Sequence, residues 1–194
     1  MKPTDQRGFS YVELLAALLV TLTIALGLST LMVQKSKINK AQKMYAEAQV
    51  NARSSMELIV AKLRSAGWDP FNVGIETVRP DADLSDDVSE LEIVADLDGD
   101  QFTASLDEEV MIRHTGDRVE WRRINGGDFS IVAVDISNDA DGDGVIEPMF
   151  QLDDPSDPEV VTVQVTARSP APDPRTGEYI RYTLRNEVVL RNEQ

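Results

Sequence analysis

The hydrophobic pattern changes its period twice along this chain. Residues 14–33, LLAALLVTLTIALGLSTLMV, run without a charge for twenty positions. At about 1.5 Å of rise per residue, a helix of that length spans the ~30 Å hydrocarbon core of a bilayer. A buried core helix seldom runs so far without a polar face. A cleaved secretory signal has a shorter apolar region, about 7–15 residues, ending at a small-x-small site. The segment therefore reads as a membrane helix kept in the mature protein. Past Val33 the apolar positions recur in steps of three and four: Ile38, Ala41, Tyr45, Ala48, Ala52, Met56, Ile59, Leu63 and Ala66. That spacing marks one buried stripe on an α-helix. Gly67 and then Pro70 supply a stop. Residues 9–66 are expected to form one helix, roughly 87 Å long if straight, with Gly27, Ser29 and Thr30 the place for any bend. An alanine-rich stripe packs weakly as a two-stranded coiled coil, so a helix laid against a sheet is the expected arrangement.

Beyond the helix, residues 67–89 carry Pro70, Gly74, Pro80 and a run of aspartates, and read as a connecting loop. The period then becomes two. Residues 90–95, 109–114, 118–124 and 129–136 are candidate strands, with Thr115-Gly116-Asp117 a hairpin turn that sets Val119 and Trp121 on one face. Val161, Val163, Val165 and Ala167 alternate with polar residues. So do Ile180, Tyr182, Leu184, Val188 and Leu190, with polar Asn186 interrupting the series. A long amino-terminal helix followed only by strands predicts an α+β fold, with an antiparallel sheet packed on the helix.

Composition narrows the chemistry. The 194-residue chain carries a net charge of -15, which argues against nucleic acid as a partner, because phosphate contacts need a lysine- and arginine-rich surface. There is no cysteine, hence no disulfide, thiol catalysis or cysteine-ligated zinc, and the single histidine, His114, leaves no multi-histidine metal site. His114 falls in a predicted strand and reads as a sheet residue rather than a base. No phosphate loop or nucleophile elbow is present, so a non-enzymatic role is expected.

Glu13 stands at the head of the apolar run, where a lone carboxylate in lipid needs a partner. Arg7-Gly8-Phe9-Ser10-Tyr11-Val12-Glu13, followed by that run, resembles the class III signal of type IV prepilins and type II secretion pseudopilins. The resemblance implies a leader of residues 1–8, cut by a prepilin peptidase between Gly8 and Phe9 with N-methylation of Phe9. It further implies that Glu13 attracts the free amino terminus of a neighbouring subunit. Residues 9–33 would be the transmembrane half of the helix, 34–66 its amphipathic half and 90–194 an acidic β domain outside the cytoplasm, first in the inner membrane and then in a fibre. More loosely, "SMELIVAKLRSAGWDP" and the closing "YTLRNEVVLRNE" are similar to minor pilins of the PilW type and J-type minor pseudopilins. Implied partners are other major and minor pilins or pseudopilins, the inner-membrane assembly platform and membrane lipid, in a fibre of either system; a calcium-dependent tip adhesin is a further alternative. Lys35, Lys37, Lys40 and Lys43 follow the span, whereas Lys2 and Arg7 precede it. The positive-inside rule alone would place the carboxyl side in the cytoplasm, but long domains translocate largely regardless of loop charge.

Two aspartate-rich stretches are candidate calcium loops. In "DADGDGVIE", Asp139, Asp141 and Asp143 alternate, Val145 would offer a backbone carbonyl and Glu147 stands at the ninth place; Phe150 occupies the twelfth. "DLDGDQFTASLD" sets Asp96, Asp98 and Asp100 at the same spacing with Asp107 at the twelfth place, and Gln101 where the glycine would be. For both, a calcium loop and a solvated acidic turn are the alternatives.

Overall fold

A computed structural model describes residues 10–71, 78–80, 90–103, 108–123, 126–154 and 158–190. Helix α1 runs unbroken over Tyr11–Leu63. The helix is not interrupted at Gly27, the place named for any bend: the Ser29 and Thr30 hydroxyls donate back to the carbonyls of Ala25 and Gly27, and the helix continues. It also ends three residues earlier than its apolar stripe, in turns over 64–67. Gly67, at φ +67°, redirects the chain and donates its N–H to the Val94 carbonyl at 2.9 Å.

The two halves of α1 meet different surroundings. Every residue from Ser10 to Lys40 is exposed. Above them Ala41, Met44, Ala48, Ala52, Ser55, Met56, Ile59, Val60 and Leu63 are buried. Ile38 and Tyr45, expected in that stripe, stay exposed; Met44 and Val60 take part instead. Alanines at 48 and 52, both without exposed surface, let the helix axis come close to the sheets.

The strands form two antiparallel sheets rather than one. The first is the meander β1 (Val78–Pro80), β2 (Glu90–Val94), β3 (Glu109–Thr115), β4 (Arg118–Arg123) and β5 (Gly126–Val134), in that spatial order. The second is β6 (Phe150–Leu152), β7 (Val160–Arg168) and β8 (Arg181–Val189). β1 lies within the stretch expected to be loop, and β6 was not anticipated; three-residue strands leave too short a pattern to read. Gly116, at φ +63°, makes the tight β3–β4 turn that the sequence announces. Val110, Ile112 and His114 point inward from β3, and Val161, Val163, Val165 and Ala167 from β7. Val119 is buried, and Trp121 packs against the core from the same face of β4.

One continuous core joins α1, both sheets and the connection between them, from Ala48 and Ile59 through Leu91, Ile112 and Ile136 to Phe150, Val163 and Val188. Ile136 bridges β5 to β7 by pairing with Ala167. Asp135 O accepts from Arg168 N–H at 2.8 Å, and Thr166 O accepts from Ser137 N–H at 2.9 Å. On the helix side, Tyr45 meets Tyr182 edge-to-face at 5.7 Å, and Gln49 Nε2 lies 3.4 Å from the Tyr182 hydroxyl. These polar contacts, from Gln49 first and then Arg53, hold the Tyr182 phenol below its ordinary range.

Two isoleucines on this one helix separate its two roles. Ile59 has no exposed surface and Ile24 is 57% exposed. Ile59→Ala should destabilise the β domain by roughly 2–5 kcal/mol, whereas Ile24→Ala should leave its unfolding unchanged, measured by thermal or denaturant unfolding of the full chain in detergent.

Candidate functional sites: the helix start and the aspartate loops

Gly8 and Phe9, the expected processing positions, lie outside the described residues, and so does Asp107. The helix start itself is defined. Ser10 is the N-cap in extended backbone, φ -69° and ψ 144°, and its N–H donates to Glu13 Oε2 at 2.9 Å. Ser-x-x-Glu is the pattern in which a glutamate three residues on reaches back to the cap N–H. A carboxylate in the first turn also meets the positive end of the helix dipole. Glu13 thus has a partner within its own chain. This local role was legible in Ser10-x-x-Glu13, and it coexists with an exposed carboxylate at the membrane end of the helix.

The two aspartate loops are built alike. In the first, between β2 and β3, Asp96 Oδ1 accepts from Gly99 N–H (2.7 Å), Asp98 Oδ1 from Asp100 N–H (3.1 Å) and Asp100 Oδ1 from Phe102 N–H (2.8 Å). In the second, between β5 and β6, the matching positions do the same: Asp139 Oδ1 with Gly142 N–H (2.6 Å), Asp141 Oδ1 with Asp143 N–H (3.1 Å) and Asp143 Oδ1 with Val145 N–H (2.7 Å). In each, a following glutamate accepts the N–H of the loop's second residue. Glu108 Oε1 takes Leu97 N–H at 2.9 Å, and Glu147 Oε2 takes Ala140 N–H at 2.9 Å.

Carboxylate oxygens converge in both loops, each trio lying within 4.8 Å of one another: Asp139, Asp141 and Asp143 in one, Asp96, Asp98 and Glu108 in the other. Glu108 therefore stands with Asp96 and Asp98 where Asp100 and Asp107 were the sequence candidates. Its position, one residue before a strand, gave no sign of this. Hard oxygen donors of this kind suit calcium by type. The surroundings differ. Asp96 and Glu108 are buried, whereas Asp141 and Asp143 are exposed. Beside the second loop, Arg181 Nη2 lies 3.5 Å from Asp139 Oδ2 and offsets part of the local charge. Its guanidinium would lie 2.7 Å from a Cβ on Gly142, and Gly142 is at φ +88°, a backbone conformation that favours glycine.

Asn138 holds the second loop to the sheet, a role no pattern in the sequence announced. It is fully buried, at φ 46°. Its Oδ1 accepts from Thr166 N–H at 2.9 Å, and its Nδ2 donates to the Glu147 carbonyl at 2.9 Å. Its own carbonyl accepts from Glu147 N–H at 2.7 Å. The loops sit at different levels of the domain. Asp96 N–H donates to the Trp68 carbonyl just past the end of α1, while Arg181 adjoins Tyr182, which touches Tyr45 on the lower part of the packed helix. His114 is buried with Nε2 2.9 Å from the Ile136 carbonyl, a structural placement.

A long apolar amino-terminal helix packs by its upper half on antiparallel sheets. The architecture is pilin-like. No family profile, curated protein or solved structure matches the chain, so this likeness stands on the arrangement of elements alone.

The crowded carboxylates of the second loop make a prediction. Asp141→Asn keeps an oxygen to accept Asp143 N–H and removes one charge. In chelator it should raise Tm by about 2–4 °C, on the scale of the repulsion between charges at this separation. Added calcium should raise Tm of the unaltered chain by more than it raises that of Asp141→Asn. Equal response to calcium would identify this loop as a solvated acidic turn.

Proposed function

We propose that this chain is a minor type IV pilin of the PilW type, which helps to start fibre assembly at or near the tip. The observation that carries the reading is the division of α1: one face of its upper half is buried on the sheets, and its lower half is apolar and wholly exposed. With mean hydropathy 2.3 over its apolar window and none of that window buried, the lower half needs lipid or other helices to cover it. Burying its large side chains is worth on the order of 20 kcal/mol. In the membrane, lipid covers this surface; in the fibre, the helices of neighbouring subunits do. The same design serves a minor pseudopilin of a type II secretion system.

In this reading a prepilin peptidase cuts after Gly8 and the new Phe9 amino terminus is methylated. Glu13 lies one turn into the helix and exposed, placed so that its carboxylate can meet the amino terminus of an adjacent subunit as lipid is displaced. A pair of desolvated opposite charges tolerates burial, whereas a lone one does not. The cap bond to Ser10 uses one carboxylate oxygen and leaves the other for that contact. The β domain, outside the cytoplasm, would then prime the packing of the subunits that follow.

Glu13→Gln separates capping from pairing, because glutamine also caps in this motif but carries no charge. Leader removal should proceed as in the unaltered protein. Incorporation into sheared fibres, read by immunoblot, should fall by roughly ten-fold or more, in line with the cost of an unpaired buried charge. Undiminished incorporation would leave Glu13 with the capping role only.

A further inference from the structure

We propose that residues 34–40, with Lys43 above them, form a cationic collar that gathers anionic phospholipid headgroups around the helix where it leaves the membrane. This rests on the membrane-inserted reading of α1 given above.

Three observations carry it. The first is charge. Residues 34–46 hold Lys35, Lys37, Lys40 and Lys43 and no acid, in a chain whose net charge is -15. Lys43 lies 3.6 Å from Glu47, and among the described residues Lys35, Lys37 and Lys40 form no ion pair. The second is level. At the helical rise, these three lysines stand about 3, 6 and 10 Å beyond Val33, so that Lys35 and Lys37 lie within a headgroup layer of about 5–7 Å per leaflet and Lys40 stands just above it. Long lysine stems reach back toward that layer, and charges just above it lie within a Debye length of about 8 Å. The third is clearance. Every residue from 34 to 40 is exposed, and the first buried position is Ala41. The lower edge of the β domain, Asp173, Arg175 and Ile180, comes down to Ile38, about 7 Å above Val33, leaving below it a bare band of helix about as deep as the headgroup layer.

Successive helical positions turn by 100°, so Lys37 and Lys40 lie about 60° apart on one side of the helix and Lys35 lies about 140–160° from them on the other. A single partner protein would reach one face; lipid surrounds the helix and reaches all three. The collar also offsets the repulsion that a strongly acidic domain meets near an anionic surface.

The test uses the full-length chain reconstituted in phosphatidylcholine vesicles carrying a trace of spin-labelled phosphatidylglycerol or, in parallel, spin-labelled phosphatidylcholine. The fraction of label immobilised by the protein gives the relative association of the two lipids. Phosphatidylglycerol should be preferred on the order of five-fold or more at low salt, and the preference should fall toward parity at high salt. It should also approach parity in the K35Q/K37Q/K40Q variant, whose insertion is read by flotation. Parity in the unaltered chain, or a preference that survives in the triple variant, overturns the collar while the membrane reading stands. Failure of the unaltered chain to float with either vesicle overturns the membrane reading and the collar with it.

Discussion

Nothing among the described residues covers the lower half of α1, and the rest of the molecule is organised around that fact. Thirty consecutive helical positions, from Tyr11 to Lys40, stay exposed, most of them leucine, isoleucine, valine or alanine as far as Val33. A surface of that size is not stable in water. The chain therefore presupposes a second environment, and the upper half of the same helix ties that environment to the β domain. Because α1 is unbroken through Gly27, continuous helix joins the exposed lower half to the β domain.

The β domain meets the helix through one core shared by both sheets. Small residues at Ala48 and Ala52 and large ones at Ile59 and Leu63 let the helix lie close at its middle and wedge firmly toward its end. The seam between the sheets is closed by the Ile136–Ala167 bridge and by Asn138, whose side chain bonds to β7 on one side and to the second aspartate loop on the other. A buried amide bonded through both its oxygen and its nitrogen holds a loop in place, and losing it would strand two backbone groups. Both aspartate loops thereby sit on rigid strand ends, one near the end of α1 and the other near its first buried turns.

Much of this was legible beforehand. The change of period from 3.6 to 2 was enough to give the α+β architecture, and the alternation in β7 and β8 marked their inward faces. Boundaries were less legible. The helix stops before Ala66 because Gly67 turns the chain onto β2, a tertiary contact that local pattern does not contain. The division into two sheets turns on Ile136 and Asn138, single residues whose partners lie about thirty positions away in the chain. Among the site residues, the trio of Asp139, Asp141 and Asp143 was visible from its spacing, whereas Glu108 came to its loop through sheet register. Glu13 shows the opposite case: its capping bond is written in four consecutive residues, Ser10 to Glu13.

In the proposed function, α1 begins behind a leader and ends packed among other helices. The intact mass of the protein recovered from the membranes of its native host tests that most directly. The expected chain lacks residues 1–8 and carries one added methyl group, with Phe9 as its first residue. A full-length, unmodified chain would contradict it, leaving an acidic β domain on a simple membrane anchor.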